Sequence, residues 1–93
     1  MPLFTAILTY TDDKDRIQKV RPMHREYLRG LLEQGKIVQS GPFTDDSGAL
    51  IIYEAEDISE AQVFLTNDPF ATNGVIVGAE IKEWKIVMGR DQG

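Results

Sequence analysis

The chain has 93 residues, 42% of them hydrophobic and 27% charged, with Asp and Glu outnumbering Lys and Arg by 15 to 10 and no cysteine. That length holds one domain and not two, and the missing cysteine excludes disulfides, thiolate nucleophiles and cysteine-held metals. A formal net charge of −5 repels phosphate backbones, which speaks against a nucleic-acid partner.

The first element is a strand over Leu3–Tyr10, a run of β-branched and aromatic residues without Gly or Pro. Leu3, Thr5, Ile7 and Thr9 alternate against Phe4, Ala6, Leu8 and Tyr10, so one face is largely apolar. Thr11-Asp12-Asp13 then offers helix-capping chemistry. A helix is expected between Asp13 and Gln34, with Val20, His24, Tyr27, Leu28, Leu31 and Leu32 recurring at spacings of three and four. Pro22 interrupts it, either as a kink or in the first turn of a shorter main helix. Gly35 is a natural C-terminal cap. The charges Lys14, Arg16, Lys19, Arg21, Arg25 and Arg29 interleave with Asp12, Asp13, Asp15 and Glu26, as on a solvated helix face.

Lys36–Ser40 reads as a short strand closed by Gly41-Pro42, and Thr44–Gly48 as a turn. Ala49–Ala55 is the second arm of that hairpin. Asp57-Ile58-Ser59-Glu60 carries overlapping capping boxes, and the helix it opens puts Ala61, Phe64 and Leu65 on one side. Asn67-Asp68-Pro69 ends that helix, and Gly74 restarts the chain. Val75, Val77, Ala79 and Ile81 form a last strand. Beyond it the apolar phase flips to Trp84 and Ile86, and a bulge near Lys82-Glu83 would account for the flip. The expected order is β-α-β-β-α-β in a single domain over residues 1–88, with a disordered tail over 89–93.

This order is that of the ferredoxin-like α+β fold: a four-stranded antiparallel sheet with both helices on one face. The other face must then meet water or a second subunit, and Tyr10, Tyr53 and Trp84 are candidates for large side chains on it. The N-terminus lacks the positive start of a signal peptide, and no apolar run nears the ~20 residues of a membrane span. The expectation is a cytoplasmic protein without a membrane partner.

His24 is the sole histidine, shares the apolar stripe of its helix, and is the natural proton-transfer group near neutral pH. Its alternative reading is a structural histidine donating to a backbone carbonyl. Arg21, three residues earlier, could hold an anion at the same mouth or stand on the solvated face. Asp45 and Asp46 in the hairpin loop and Asp68 before Pro69 are the carboxylates at irregular positions, each open to a turn-forming role as well. One histidine without cysteine does not make a zinc site, and no EF-hand spacing, phosphate loop, dinucleotide fingerprint or Gly-x-Ser-x-Gly elbow is present. No cofactor is expected.

Arg21-Pro22-Met23-His24, Leu28, Leu31, Gly35, Gly41-Pro42, Gly48, Ser59-Glu60-Ala61, Asp68-Pro69-Phe70 and Gly74-Val75 occur in that order, and in this the chain resembles the YciI-like family. The resemblance implies a ferredoxin-like subunit of a homodimeric α+β barrel. It also implies a pocket in which a histidine of the first helix pairs with an aspartate, here His24 with Asp68. Gly41, Pro42 and Asp45 would line that pocket, with Phe70 beside it and Arg21 binding a substrate carboxylate. Some relatives are similar to muconolactone isomerases, and one branch removes chloride from a chlorinated hydroxyquinol. Many members carry serine after the glycine that opens the third strand, where this chain has Ala49; here that hydroxyl is lost or supplied by Ser47.

Two functions follow. One is a cofactor-independent isomerase or lyase using His24 and Asp68 as an acid–base pair on a small organic acid. The other is a dimeric small-ligand-binding or regulatory module without turnover. A third, cofactor-independent oxygenation, rests on fold analogy alone.

Overall fold

The computed structural model describes residues 1–90. Its elements are β1 (Leu3–Tyr10), α1 (Lys14–Glu33), β2 (Ile37–Pro42), β3 (Gly48–Glu54), α2 (Ile58–Thr66), α3 (Pro69–Thr72) and β4 (Ile76–Trp84). The four strands form one antiparallel sheet in the order β2-β3-β1-β4, which is the ferredoxin-like α+β arrangement. No helix among the described residues is long and apolar enough to cross a membrane. Gly89 and Arg90 carry no regular structure; the rest of the tail expected to be disordered, residues 91–93, lies outside the described residues.

The alternation in β1 sets the layers. Phe4, Ala6, Leu8 and Tyr10 are buried and, through their cross-strand partners, share a face with Tyr53, Ile51 and Ala49 of β3. Ile17, Val20 and Leu31 of α1, Ala61, Phe64 and Leu65 of α2, and Phe70 of α3 close on that face as one core. Tyr10 and Tyr53 therefore belong to the core, not to the open face. Trp84 does lie on the open face, opposite Leu3 and half exposed. The cause is local ambiguity: Leu3 and Ile7 make the other side of β1 apolar too.

Helix α1 is one continuous helix. Asp13 caps it by accepting from the Arg16 N–H at 3.1 Å. Pro22 stands inside it on the exposed side, and Gln18, whose carbonyl loses its helical partner, is an exposed residue as well. At 100° per residue, Ile17 falls about 20° from His24 around the helix and Leu32 about 80° away. Ile17 is accordingly buried, and Leu32 leaves the core stripe at 54% exposed. Gly35 adopts φ +75°, and the bonds Gly35 N–H to Leu32 O and Lys36 N–H to Leu31 O complete a Schellman cap.

Gly41-Pro42 do not close β2 but continue it, paired with Leu50 and Ala49. Proline is tolerated there because β2 is an edge strand. Gly48 is required at its site, since a Cβ would lie 1.8 Å from the Leu8 carbonyl oxygen. The segment after Asp68 is not a simple restart but the four-residue helix α3. The irregularity of β4 also lies elsewhere than expected. Thr9 pairs with Gly78 and Tyr10 with Ile76, so Val77 is the extra residue, and pairing through Lys82-Glu83 is regular.

Candidate active site

Asp68 ends one helix and begins the next. Its backbone N–H donates to Leu65 O at 3.1 Å, and its extended conformation (φ −66°, ψ 130°) followed by Pro69 opens α3 as an N-cap. The carboxylate Oδ1 accepts the Phe70 N–H at 2.9 Å. The residue is completely buried. Packing α3 against α1 brings this oxygen 2.7 Å from His24 Nδ1, across 44 residues of sequence.

The pair fixes the imidazole. An ionised carboxylate only accepts, so the short contact makes Nδ1 the donor and leaves the Nε2 lone pair free in the neutral ring. The His24 ring stacks on Phe70 with centroids 3.9 Å apart and planes 4° from parallel. Tyr10 meets the same Phe70 ring edge-on at 5.2 Å and 80°. Phe70 is thus a buried backing plate that holds two neighbouring rings.

A cavity of about 180 Å³ opens in front of His24, lined among others by Tyr10, Arg21, Arg25, Leu28, Ser40 and Ala49. Gly41 and Pro42 belong to its wall, as does Phe70. It adjoins a larger groove of about 780 Å³ between α1 and β2, through Arg25, Leu28, Ser40, Gly41 and Pro42, which line both. The groove is the larger space, but Tyr10, Arg21 and His24 line only the smaller one.

Arg21 stands at the cavity with Nη2 donating to Asp46 Oδ1 at 2.7 Å, both side chains partly buried. Asp46 holds φ +61° in the hairpin loop, a left-handed conformation that aspartate tolerates better than most residues. Asp45 is not on the cavity wall. Its carboxylate accepts from Ser47 Oγ at 2.7 Å and Ser47 N at 3.0 Å, and these bonds, the side-chain one foremost, hold it below the usual carboxylate range. Ser47 is thereby committed to the turn and does not replace the hydroxyl missing at Ala49, whose methyl lies on the cavity wall. Ser40 is the hydroxyl on that wall.

Tyr10 is one of the cavity residues that sequence reasoning missed, with Arg25, Ser40 and Ile51. Burial foremost, opposed by Arg21 and reinforced by Asp46 and Asp68, pushes its phenol up to about 12. The β1 alternation puts it in register with Leu8 but does not say which face of the strand is covered. No group of three or more His, Cys, Asp or Glu side chains among the described residues could hold a metal ion.

A model of the YCII-related domain matches residues 3–85. Protein YciI of Escherichia coli is 32% identical over 92 residues, covering 84% of this chain and 94% of that protein. The uncharacterized protein YjpA of Bacillus subtilis is 33% identical over 63 residues, covering 68% of this chain and 73% of that protein. Among solved structures, the 5-chloro-2-hydroxyhydroquinone dehydrochlorinase of Burkholderia phenoliruptrix, in complex with 2,5-dihydroxybenzoquinone, matches with a TM-score of 0.78 at 29% identity. That match covers 89% of this chain and 93% of the enzyme. An antibiotic biosynthesis monooxygenase matches with a TM-score of 0.63 at 14% identity, over 95% of this chain and all of that one, and shares the fold alone.

Proposed function

The chain belongs to the family of YCII-related domains, and on that premise we propose that it is a small cofactor-independent isomerase or lyase acting on an oxygenated ring or small unsaturated acid. The observation that carries this reading is the buried His24–Asp68 pair, with Nδ1 held at 2.7 Å and Nε2 left to the cavity. His24 Nε2 takes a proton from an acidic C–H or O–H of the substrate, and the freed electron pair moves into the conjugated system. Asp68 stabilises the imidazolium that forms. In an isomerisation the imidazolium returns the proton at another carbon. In an elimination a leaving group departs with its bonding pair, and the proton neutralises the developing charge. Arg21 supplies positive charge for a carboxylate or enolate oxygen. The dehydrochlorinase neighbour acts on a ring of this class.

A ligand-binding module without turnover is the second reading, favoured by Ala49 on the cavity wall in place of a hydroxyl. Turnover of hydroxylated ring acids and their chlorinated analogues, followed by absorbance, separates the two. His24→Ala should lower kcat by about 10²–10⁴-fold. His24→Gln should keep ligand affinity and lose rate in a catalyst, and an unchanged rate on a turned-over substrate refutes the acid–base role.

The working unit of this proposal is a homodimer. The open sheet face carries Leu3, Ile7, Leu50 and Trp84, with Ile7 47% and Trp84 43% exposed, an apolar surface that a second copy would cover. Sedimentation velocity should give a dimer that Ile7→Lys dissociates; a monomeric wild type refutes it.

A further inference from the structure

The chain has three tyrosines, and their hydroxyls have different fates. Tyr27 Oη donates to Phe64 O at 2.6 Å. Tyr53 Oη is sealed from solvent without a hydrogen-bond partner among the described residues. Tyr10 Oη has no such partner either, yet it is not among the sealed atoms, and the residue lines the cavity in front of His24. Its placement is built. The Tyr10 N–H donates to Ser47 O at 2.9 Å, its ring is braced by Phe70, and the extra residue Val77 lies directly beside it on β4. Bulges of this kind commonly re-aim a side chain beside a functional site.

We propose that Tyr10 is a further substrate-touching polar group of the cavity, beside His24 and Arg21: its O–H donates a hydrogen bond to an oxygen of the substrate as His24 Nε2 removes a proton. This deepens the acid–base reading above and rests on it. The Tyr10 O–H bond stays intact throughout; only the proton taken by His24 changes place, and the phenol meets the oxygen on which negative charge gathers. Phe70 keeps the donor and the base on one support, since both rings rest on it. Burial keeps the phenol protonated well past neutral pH, so the donor is present wherever the base is active. The substrate this selects is a ring with an acidic hydrogen and an oxo or hydroxyl oxygen on neighbouring positions.

The test is calorimetric titration of 2,5-dihydroxybenzoquinone into the wild type, Tyr10→Phe, Tyr10→Leu and His24→Gln. Tyr10→Phe keeps the ring contact with Phe70 and forfeits no bond within the described chain, so it should fold and bind about 10- to 100-fold more weakly, the loss expected for a hydrogen bond to a charged oxygen. Unchanged affinity in Tyr10→Phe overturns the proposal and leaves the His24 reading standing. Loss in Tyr10→Leu alone also overturns it, because the ring and not the hydroxyl then matters. A wild type that does not take up the probe overturns the substrate class of the proposed function and the Tyr10 assignment with it.

Discussion

Replacing Asp68 by Asn or by Ala separates the shape of this side chain from its charge. Oδ1 accepts two bonds, from His24 Nδ1–H at 2.7 Å and from Phe70 N–H at 2.9 Å. In Asp68→Asn the amide oxygen can take over both. The flipped amide cannot, because its NH₂ would then face the Phe70 N–H as well as the ring. The Phe70 donor therefore pins the amide oxygen toward His24, and the neutral imidazole keeps its proton on Nδ1. Asp68→Ala loses both bonds. The α3 cap is worth ~1 kcal/mol, and a buried Nδ1–H left without a partner costs ~1–3 kcal/mol. The sum is ~2–4 kcal/mol, which in a domain of this size lowers Tm by roughly 10–30 °C. Asp68→Asn removes an incompletely paired buried charge and adds two N–H groups without partners. These oppose each other, so its stability should stay within ~1.5 kcal/mol of wild type. The assays are thermal unfolding and ¹⁵N-correlated spectra of the imidazole, which need no assignment because the chain has one histidine. Wild type and Asp68→Asn should both show the Nδ1–H tautomer at a pH where the ring is neutral. An Nε2–H tautomer in the wild type, or an Asn variant that melts as early as the Ala variant, would refute the reasoning.

Burial raises all three tyrosines above their ordinary value, Tyr10 to about 12. Above pH ~10 the unfolded chain loses phenolic protons that the folded chain keeps, so this contribution to stability is complete below pH ~10 and falls as pH rises toward 12. The ultraviolet tyrosinate band should rise together with loss of circular dichroism; ionisation near pH 10 in the folded chain would contradict this. Gly48→Ala puts a methyl group 1.8 Å from Leu8 O and should destabilise by at least the ~1–3 kcal/mol of ordinary overpacking, read as a drop in denaturant midpoint; an unchanged midpoint would show that β1 and β3 part freely. Pro22→Ala restores an N–H inside α1 at an exposed position and should stabilise by up to ~3 kcal/mol, with the His24 ring spectrum unaltered. A loss of stability would mean that α1 depends on its proline.

The elements and their order were legible because each carries a local signature: period two in β1, stripes and caps in α1 and α2, a left-handed glycine at Gly35. What escaped depends on tertiary context. Helix α3 is too short for periodicity to reveal. The position of the β4 bulge is set by pairing with β1, since Tyr10 meets Ile76 and passes over Val77. The covered face of β1 is decided by where α1 lands, so Tyr10 and Tyr53 could not be placed by inspection of their own strands. In the site, His24 was conspicuous as a lone histidine on an apolar stripe. Its contact with Asp68 spans 44 residues and was not readable from spacing; the resemblance to a family singled out Asp68 over Asp45 and Asp46. The engagement of Asp45 by Ser47, and of Arg21 by Asp46, is likewise a product of how the β2–β3 loop folds over.

Asp68 also bears on whether this site is structural or functional. As a cap for a four-residue helix, the carboxylate is an expensive choice. It is wholly buried, its Oδ2 has no hydrogen-bond partner among the described residues, and a buried charge with unused acceptor capacity is a net cost to folding. A serine or asparagine would cap Phe70 N–H as well without that cost. Holding a neutral imidazole in one tautomer does not require a charge either, since an amide oxygen can accept from Nδ1–H. What the negative charge adds, and no neutral acceptor provides, is stabilisation of the imidazolium that exists once His24 has taken a proton. In the proposed reaction the side chain is thus matched to the imidazolium form of its partner. On the proposed acid–base reading, the cost of Asp68→Asn should therefore fall on turnover and not on folding.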